Sequence, residues 1–178
     1  MQSDKGMKTV GDKLDPFEVN GLRPGRDLNG FYKIDQTTFN NKWKIILFYP
    51  MDFAFDFPTE IVEHDLLVPE FDQLNAVLLT GNTDGYHCKL AWQNTDSRLY
   101  NLKHTQFSDT QRGYFTHDRV WINNSLSRQL GIFDSAAGYT ARSLFIVSPD
   151  NIIKHITVND YQVAINAEET LRILKSLQ

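Results

Sequence analysis

Two nearly continuous runs of apolar residues constrain the fold of this chain more than any other feature. The first covers 44–49 and stops at Pro50, and the second covers 76–80. Such runs, which lack polar alternation, are typical of strands that are buried on both faces. Between them, over 59–74, apolar residues recur at helical spacing, although Pro69 lacks a backbone donor and should kink or break a helix there. The pattern predicts two central strands joined by a helical segment.

The C-terminal part of the chain predicts a hairpin and two more helices. The apolar runs 143–148 and 152–158 are separated by a Pro-Asp-Asn segment, which is turn chemistry and favours an antiparallel hairpin. Asn166 stands where an N-cap would begin a final amphipathic helix. Gly131 stands where a C-cap would end a helix over 125–130. Strands that alternate with helices and end in such a hairpin indicate the α/β fold class, with a central mixed β-sheet flanked by helices.

Length and charge limit the classes of function. A chain of 178 residues has the size of one domain, so we expect a single domain over 1–178, with 1–10 as a disordered tail. The net charge is -4 and Lys and Arg form no run, which argues against a nucleic acid or an anionic membrane as partner. No segment reaches the roughly 18 apolar residues of a membrane span, and the start is polar. The expected location is the cytoplasm.

The segment 48–60 carries a specific resemblance. It reads Phe-Tyr-Pro-Met-Asp-Phe-Ala-Phe-Asp-Phe-Pro-Thr-Glu. It resembles the active-site loop of peroxiredoxins of the alkyl hydroperoxide reductase and thiol-specific antioxidant (AhpC/TSA) family, in which Tyr-Pro or Trp-Pro is followed by Asp-Phe-Thr-Phe-Val-Cys-Pro-Thr-Glu. Further landmarks of the family follow in the same order at 90–92, 126–128, 142–147 and 156–160. The resemblance implies a thioredoxin-like fold and relates the chain to thiol-dependent peroxidases that reduce hydrogen peroxide and alkyl hydroperoxides.

The resemblance also shows which reactive positions differ. The residues that it assigns to the site are Pro50, Ala54, Phe57, Glu60 and Arg142. The family's Thr falls on Ala54 and its peroxide-attacking Cys falls on Phe57, while Glu60 is expected to pair with Arg142 through a bidentate contact. A second family Arg is replaced by Ile165. Because the thiolate itself is the nucleophile of this chemistry, the sequence predicts that the usual peroxidase reaction is lost.

Two interpretations of Phe57 follow from its aromatic surroundings. In the first, the ring fills the small site that would otherwise admit peroxide and stabilises the fold. In the second, five aromatic residues form a pocket for a small apolar ligand or a partner chain; these are Phe48, Tyr49, Phe53, Phe55 and Phe57. Aromatic residues around the end of a strand are usually part of the core, which favours the first interpretation.

Two other groups could carry chemistry. Cys88 is the single cysteine, which excludes an internal disulfide, and it could serve as a substitute nucleophile, alone or with a thiol from a partner. Free cysteines are more often buried and inert. Asp56 could act as an acid or base beside Glu60, although a carboxylate favoured by a helix N-terminus is the simpler interpretation.

The sequence predicts neither a metal nor a cofactor. The five histidines show no pair at the spacing that puts two ligands on one helix face. The glycine-containing segment 81–85 lacks the Lys and the glycine spacing of a nucleotide-binding loop.

Association is the remaining expectation. The resemblance implies a homodimer, built by edge pairing of the strand at 152–158, and larger rings that form through the active-site loop and the helix near Tyr86. Residues 113–124 stand where the family passes directly between two motifs, so we interpret them as an insertion loop. Together these features predict a peroxiredoxin-like protein without peroxidase activity that has a binding or structural role as a homo-oligomer.

Overall fold

A computed structural model describes residues 7–110 and 125–178, and within 111–124 it describes the backbone of two short strands. The strands are β1 (Glu18–Leu22), β2 (Phe31–Asp35), β3 (Trp43–Phe48), β4 (Ala76–Asn82), β5 (Thr105–Ser108), β6 (Gly113–Phe115), β7 (Trp121–Asn123), β8 (Phe133–Asp134), β9 (Tyr139–Thr140), β10 (Arg142–Val147) and β11 (Ile153–Asn159). The helices are α1 (Phe57–Leu66), α2 (Val68–Gln73), α3 (Tyr86–Thr95), α4 (Leu126–Gln129) and α5 (Ala167–Ser176), with 3-10 turns at Leu28–Gly30 and Ser97–Leu99.

A seven-stranded mixed sheet organises the chain. Its strand order is β11-β10-β3-β4-β5-β1-β2. The neighbours β3, β4 and β5 run parallel, and every other pairing in this sheet is antiparallel. The predicted hairpin is confirmed as the pair β10 and β11. The parallel order places the carboxyl ends of β3 and β4 at one edge of the sheet.

The central strand β3 is buried on both faces, as its continuous apolar run predicts. Ile45 and Leu47 belong to a core layer that also contains side chains of α2 and α5. Ile46 and Phe48 point into the opposite layer, which includes side chains of β1 and α4. Because successive residues of a strand point to opposite faces, a strand with helices on both sides needs apolar side chains at every position.

The helical segment after β3 is broken, as the proline within it predicts. Helix α1 ends at Leu66 and α2 begins at Val68, with Pro69 in the first turn of α2. A proline there gives up an N–H that would have no partner within the helix, so it starts the second helix without a penalty.

The predicted caps of two other helices are also confirmed. The side chain of Asn166 accepts a hydrogen bond from the amide of Glu169 at 2.8 Å, and Gly131 has a φ of +72°.

Two predicted segments are described only in part. Of the tail 1–10, residues 7–10 are described, and Lys8 donates a hydrogen bond to the carbonyl of Lys13 at 2.8 Å. Residues 1–6 lie outside the described part of the chain. Of the insertion 113–124, the structure describes β6 and β7, which pair antiparallel, and the rest also lies outside the described residues. None of the described helices is long and apolar enough to cross a membrane.

A buried histidine joins α1 to α5. His64 donates a hydrogen bond from Nδ1 to the carbonyl of Glu60 at 2.8 Å, and its Nε2 lies 3.2 Å from the hydroxyl of Thr170. The ring is fully buried, and desolvation lowers the pKa of His64 from 6.5 to about 4, although the hydrogen bond to Glu60 opposes the shift. The native state therefore holds this ring in the neutral form.

This histidine predicts a specific acid sensitivity. Because its pKa is lower in the folded state, its neutral form stabilises the fold fully above the unfolded pKa of 6.5, and that contribution is lost as the pH falls towards 4. We expect the free energy of unfolding to fall by about 3 kcal/mol more in the wild type than in His64→Gln between about pH 7 and pH 4. Urea unfolding at several pH values measures the difference. If the free energy of unfolding depended equally on pH in both proteins, this role of His64 would be excluded.

Candidate functional site

The candidate site lies where the loop after β3 enters α1. Phe57 is the first residue of α1, and Pro58 occupies its first turn. The ring of Phe57 is only 1% exposed. Its centre lies 6.0 Å from that of the Tyr49 ring and 5.4 Å from that of Tyr161, and the guanidinium carbon of Arg142 lies 5.0 Å from it. The position that the resemblance assigns to the attacking thiol is therefore filled by a packed aromatic ring.

Arg142 and Glu60 form the buried ion pair that the sequence predicts, but its geometry differs from the expected fork. Nε and Nη2 of Arg142 lie 2.9 and 2.8 Å from the same oxygen, Oε2 of Glu60. The other oxygen, Oε1, accepts a hydrogen bond from the amide of Ile165 at 2.6 Å. Nη1 of Arg142 donates to the carbonyl of Tyr161 at 3.0 Å. The pair therefore ties α1 to β10 and to the segment that precedes α5.

Burial raises the pKa of Glu60, while the hydrogen bonds from Arg142 and Ile165 act in the opposite direction. Both carboxylate oxygens already accept hydrogen bonds from the protein. A carboxylate held in this way is a structural anchor, and it is poorly placed to exchange a proton with a substrate.

Asp56 is the N-cap residue of α1, and its side chain makes no capping hydrogen bond. It lies at the helix terminus, where the dipole favours a negative charge.

The guanidinium of Arg142 also faces the ring of Phe57. A cation within about 6 Å of a ring centre is attracted by the negative face of the π system. The resemblance gives this Arg the task of stabilising charge on the attacked peroxide. Here its side chain is held by Glu60, Tyr161 and the ring of Phe57. Ala54, at the position of the family's Thr, has no hydroxyl to add.

The five aromatic residues near the end of β3 do not line one pocket. Phe48, Tyr49 and Phe57 are buried, whereas Phe53 is 56% exposed and Phe55 is 84% exposed. Phe48 points into the layer on the other side of the sheet from the helix α2, where it contacts Phe107 and Phe145. The loop instead presents two aromatic side chains to solvent. Beside them lies an open cleft of about 490 Å³, which is lined by Phe53, Ala54, Phe55, Trp92, Thr95, Asp96, Ser97 and Arg98.

A buried polar cluster lies behind the loop, and the sequence reasoning missed it. Lys89 of α3 has no exposed surface, and its ammonium lies 3.1 Å from Oδ1 of Asp52. Asp52 also accepts hydrogen bonds from the hydroxyl of Tyr49 at 2.8 Å and from the side-chain amide of Asn82 at 3.0 Å. Burial, followed by the charge of Asp52, raises the pKa of Tyr49 well above its ordinary value, so the phenol stays protonated.

Cys88 borders this cluster. Burial, followed by the charges of Asp52 and Asp84, raises the pKa of its thiol to about 11. Within the described part of the chain, the ligand atoms of Asp52, Asp84 and Cys88 lie within 4.8 Å of one another. The ammonium of Lys89 already supplies a positive charge to Asp52. The surroundings of Cys88 therefore oppose formation of a thiolate, in contrast to the electropositive surroundings of reactive cysteines.

Comparison with known proteins shows which proteins this chain is similar to. The AhpC/TSA family profile matches residues 10–156. A Bacillus subtilis (strain 168) protein named "Putative peroxiredoxin YkuU" is 32% identical over 174 residues, which cover 96% of this chain and 89% of that protein. The mitochondrial thioredoxin-dependent peroxide reductase of Mus musculus is 35% identical over 155 residues, which cover 85% of this chain but only 56% of the mouse protein.

Solved structures give the same result for the fold. The crystal structure of Enterococcus faecalis AhpC superposes with a TM-score of 0.84 at 28% identity, covering 97% of this chain and 93% of that one. Mycobacterium tuberculosis AhpC also gives 0.84 at 28% identity, covering 97% of this chain and 94% of that one. The predicted thioredoxin-like architecture is thereby confirmed, and the chain belongs to the AhpC/TSA family of peroxiredoxins.

Proposed function

We propose that this chain is a cytoplasmic peroxiredoxin-family protein that no longer reduces peroxides and has a binding or structural role within a homo-oligomer. The observation that carries the proposal is the buried ring of Phe57 at the position of the attacking thiol, packed beneath Arg142. A peroxidatic cysteine attacks as a thiolate in the first turn of a helix. Phenylalanine has no ionisable atom and cannot perform that step.

The surroundings of Phe57 support the same conclusion. Reduction of a peroxide builds negative charge on the leaving oxygen, and preorganised donors stabilise that charge. Ala54 supplies no hydroxyl, and the guanidinium carbon of Arg142 lies 5.0 Å from the centre of the Phe57 ring, which stands at the position of the thiol. What persists is a scaffold, in which the former catalytic arginine stabilises the junction of α1, β10 and the segment before α5.

A thiol peroxidase that works through Cys88, or through a thiol from a partner, is the alternative. A thiol with a pKa of about 11 is ionised in only about one molecule in ten thousand at pH 7. Cys88 stands in α3 beside the carboxylates of Asp52 and Asp84, which oppose formation of a thiolate. These observations favour a role without peroxide chemistry.

Two surfaces support association between copies. The strand β11 is the last strand of the sheet on its side. Its first residue, Ile153, exchanges backbone hydrogen bonds with Gly11 and Asp12, whereas Val158 farther along the strand is 47% exposed. An edge strand offers unpaired backbone groups to another chain. The exposed Phe53 and Phe55 form a second apolar surface, on the loop that the resemblance assigns to ring formation. The occupant proposed for both surfaces is a second copy of this chain.

Sedimentation velocity tests the association. We expect the wild type to sediment at least as a dimer at micromolar concentration. Val158→Glu should shift it towards the monomer, because like charges on paired strands repel. Leu66→Glu, an equally radical change at a 63% exposed residue of α1, serves as the control and should leave the oligomer intact. A monomeric wild type would contradict the structural role.

A further inference from the structure

The loop between β3 and α1 has an unfavourable backbone conformation at its centre. Phe53 has a φ of +61°, in the left-handed region that bulky side chains rarely adopt. Its side chain is 56% exposed, and that of Phe55 is 84% exposed, so burial of these rings does not hold the loop in place. A strained residue persists only where the surrounding structure fixes it. Contacts other than those of the two phenylalanine rings must therefore hold this turn.

The residue before the strained position is anchored in the interior. The carboxylate of Asp52 accepts hydrogen bonds from Tyr49 and Asn82. Its backbone amide donates to Oδ2 of Asp84 at 2.6 Å. Lys89 places its ammonium 3.1 and 3.3 Å from the two carboxylate oxygens of Asp52. Asp52 thus attaches the loop to the interior through four partners, which are Tyr49, Asn82, Asp84 and Lys89.

Lys89 favours the closed conformation of the loop over an open one. It has no exposed surface, and its ammonium also donates to Oδ1 of Asn82 and lies 3.3 Å from the hydroxyl of Tyr49. Among the residues that the structure describes, Asp52 supplies the carboxylate within 4 Å of this ammonium. If the loop opened, Asp52 would leave and the interior would hold a charge without its counter-ion. An uncompensated buried charge is strongly destabilising, so the closed loop is favoured.

The other contacts of the loop are weaker by comparison. Arg98 donates to the carbonyl of Phe55 at 3.2 Å, but its side chain is 40% exposed and is also paired with Asp96. The Phe53 ring lies 6.0 Å from the Trp92 ring at the surface. Exposed contacts of this kind contribute little in water. Met51 and Ala54 also pack against the buried cluster that contains Phe57, but apolar packing is not directional. The buried pair is therefore the contact that fixes the position of Asp52.

We propose that Lys89 is a positioning residue that locks residues 50–56 through Asp52 and so holds Phe53 and Phe55 in one exposed arrangement. The lock concerns the same surface as the proposed association. The two proposals can be told apart, because the lock is tested by cleavage of the loop and the association by sedimentation. Either result can be positive when the other is negative. The lock also holds Met51 and Ala54 of this loop against the buried cluster that contains Phe57.

Chymotrypsin provides the test, because it cleaves after aromatic residues and requires a locally unfolded chain. The wild-type loop should resist cleavage at Phe53 and Phe55 although both rings are exposed. In Lys89→Met the cleavage rate at these two residues should rise by about tenfold or more, because Asp52 loses its counter-ion. Mass spectrometry of the fragments identifies the sites.

Lys44→Met is the matched control. Lys44 is also buried, but its ammonium binds Oδ1 of Asn151 at 2.8 Å and the carbonyl of Ser148 at 3.2 Å, near the hairpin turn between β10 and β11. It should leave the cleavage rate at Phe53 and Phe55 near that of the wild type. Equal cleavage of the loop in Lys89→Met and Lys44→Met, or rapid cleavage of the wild type, would overturn the proposal.

Asp52→Asn keeps the proposal testable if Lys89→Met does not fold. The amide retains the size of the carboxylate and removes its charge, so the loop should again be cleaved faster than in the wild type. Hydrogen exchange of the β3 and β10 amides, followed in the same samples, reports whether the core stays folded. Faster exchange of the loop with an unchanged core supports the lock. If the amides of the loop and of the core exchange faster together in both variants, Lys89 and Asp52 stabilise the whole fold, and the proposal is contradicted.

Discussion

The double variant Phe57→Cys/Ala54→Thr is expected to consume hydrogen peroxide in the presence of excess dithiol. The cysteine would stand at the N-terminus of α1, where amide donors and the helix dipole lower the pKa of a thiol. Arg142 would lie beside it, since its guanidinium now lies 5.0 Å from the centre of the Phe57 ring. The threonine would return a hydroxyl donor to the loop. In a Cys88→Ala background, we expect a rate about 100-fold or more above that of the parent.

Two controls make this result specific. Phe57→Cys alone should be about 100-fold slower than the double variant, because loss of one preorganised donor commonly costs that much. Phe71→Cys converts another buried phenylalanine, in α2, and should remain inactive because no comparable helix terminus or arginine faces it among the described residues. Removal of the Phe57 ring should also lower the free energy of unfolding by about 3 kcal/mol. A folded double variant that consumes no peroxide would show that the scaffold has lost more than its nucleophile.

Replacement of Arg142 should cause the largest loss of stability. In Arg142→Met the carboxylate of Glu60 stays buried without its counter-ion, and the carbonyl of Tyr161 loses a donor. We expect the free energy of unfolding to fall by about 3 to 5 kcal/mol, the usual cost of breaking a buried pair from one side. Guanidinium unfolding followed by circular dichroism measures this loss.

The exposed pair of Arg172 and Glu169 supplies the comparison. Its two side chains are 65% and 51% exposed, so Arg172→Met should change the free energy of unfolding by no more than about 0.5 kcal/mol. Adding Glu60→Gln to Arg142→Met removes the stranded charge and keeps an acceptor for the amide of Ile165, so it should restore part of the loss. If Arg142→Met were as mild as Arg172→Met, the ion pair would not hold α1 to β10.

The sequence alone predicted the elements whose patterns are local. Two continuous apolar runs indicated β3 and β4, the turn residues indicated the hairpin of β10 and β11, and Pro69 predicted the break between α1 and α2. The strand β1 was missed, because it is short and Gly21 interrupts its pattern. A Cβ at Gly21 would lie 2.6 Å from the side chain of Ile34 on the neighbouring strand, so a larger residue would require that side chain to move.

The candidate site was predictable where it depends on motif order and unpredictable where it depends on folding. The segments 48–60 and 142–147 together identified Phe57, Glu60 and Arg142 as one constellation, and the structure brings them together. The pairing of Lys89 with Asp52 could not be foreseen, because 37 positions separate them and nothing in the sequence links Lys89 to the segment 48–60 that contains Asp52. Exposure was also hidden from the sequence, since nothing distinguishes the buried Phe57 from the exposed Phe55 except its position in α1.

Peroxide consumption by the wild-type protein tests the central claim most directly. Hydrogen peroxide and an organic hydroperoxide are followed with excess dithiol, beside the Cys88→Ala variant and an active peroxiredoxin. The account predicts that the wild type and Cys88→Ala consume peroxide no faster than dithiol alone. Turnover by the wild type that disappears in Cys88→Ala would make Cys88 the nucleophile and contradict the proposal that this family member has lost its peroxidase reaction.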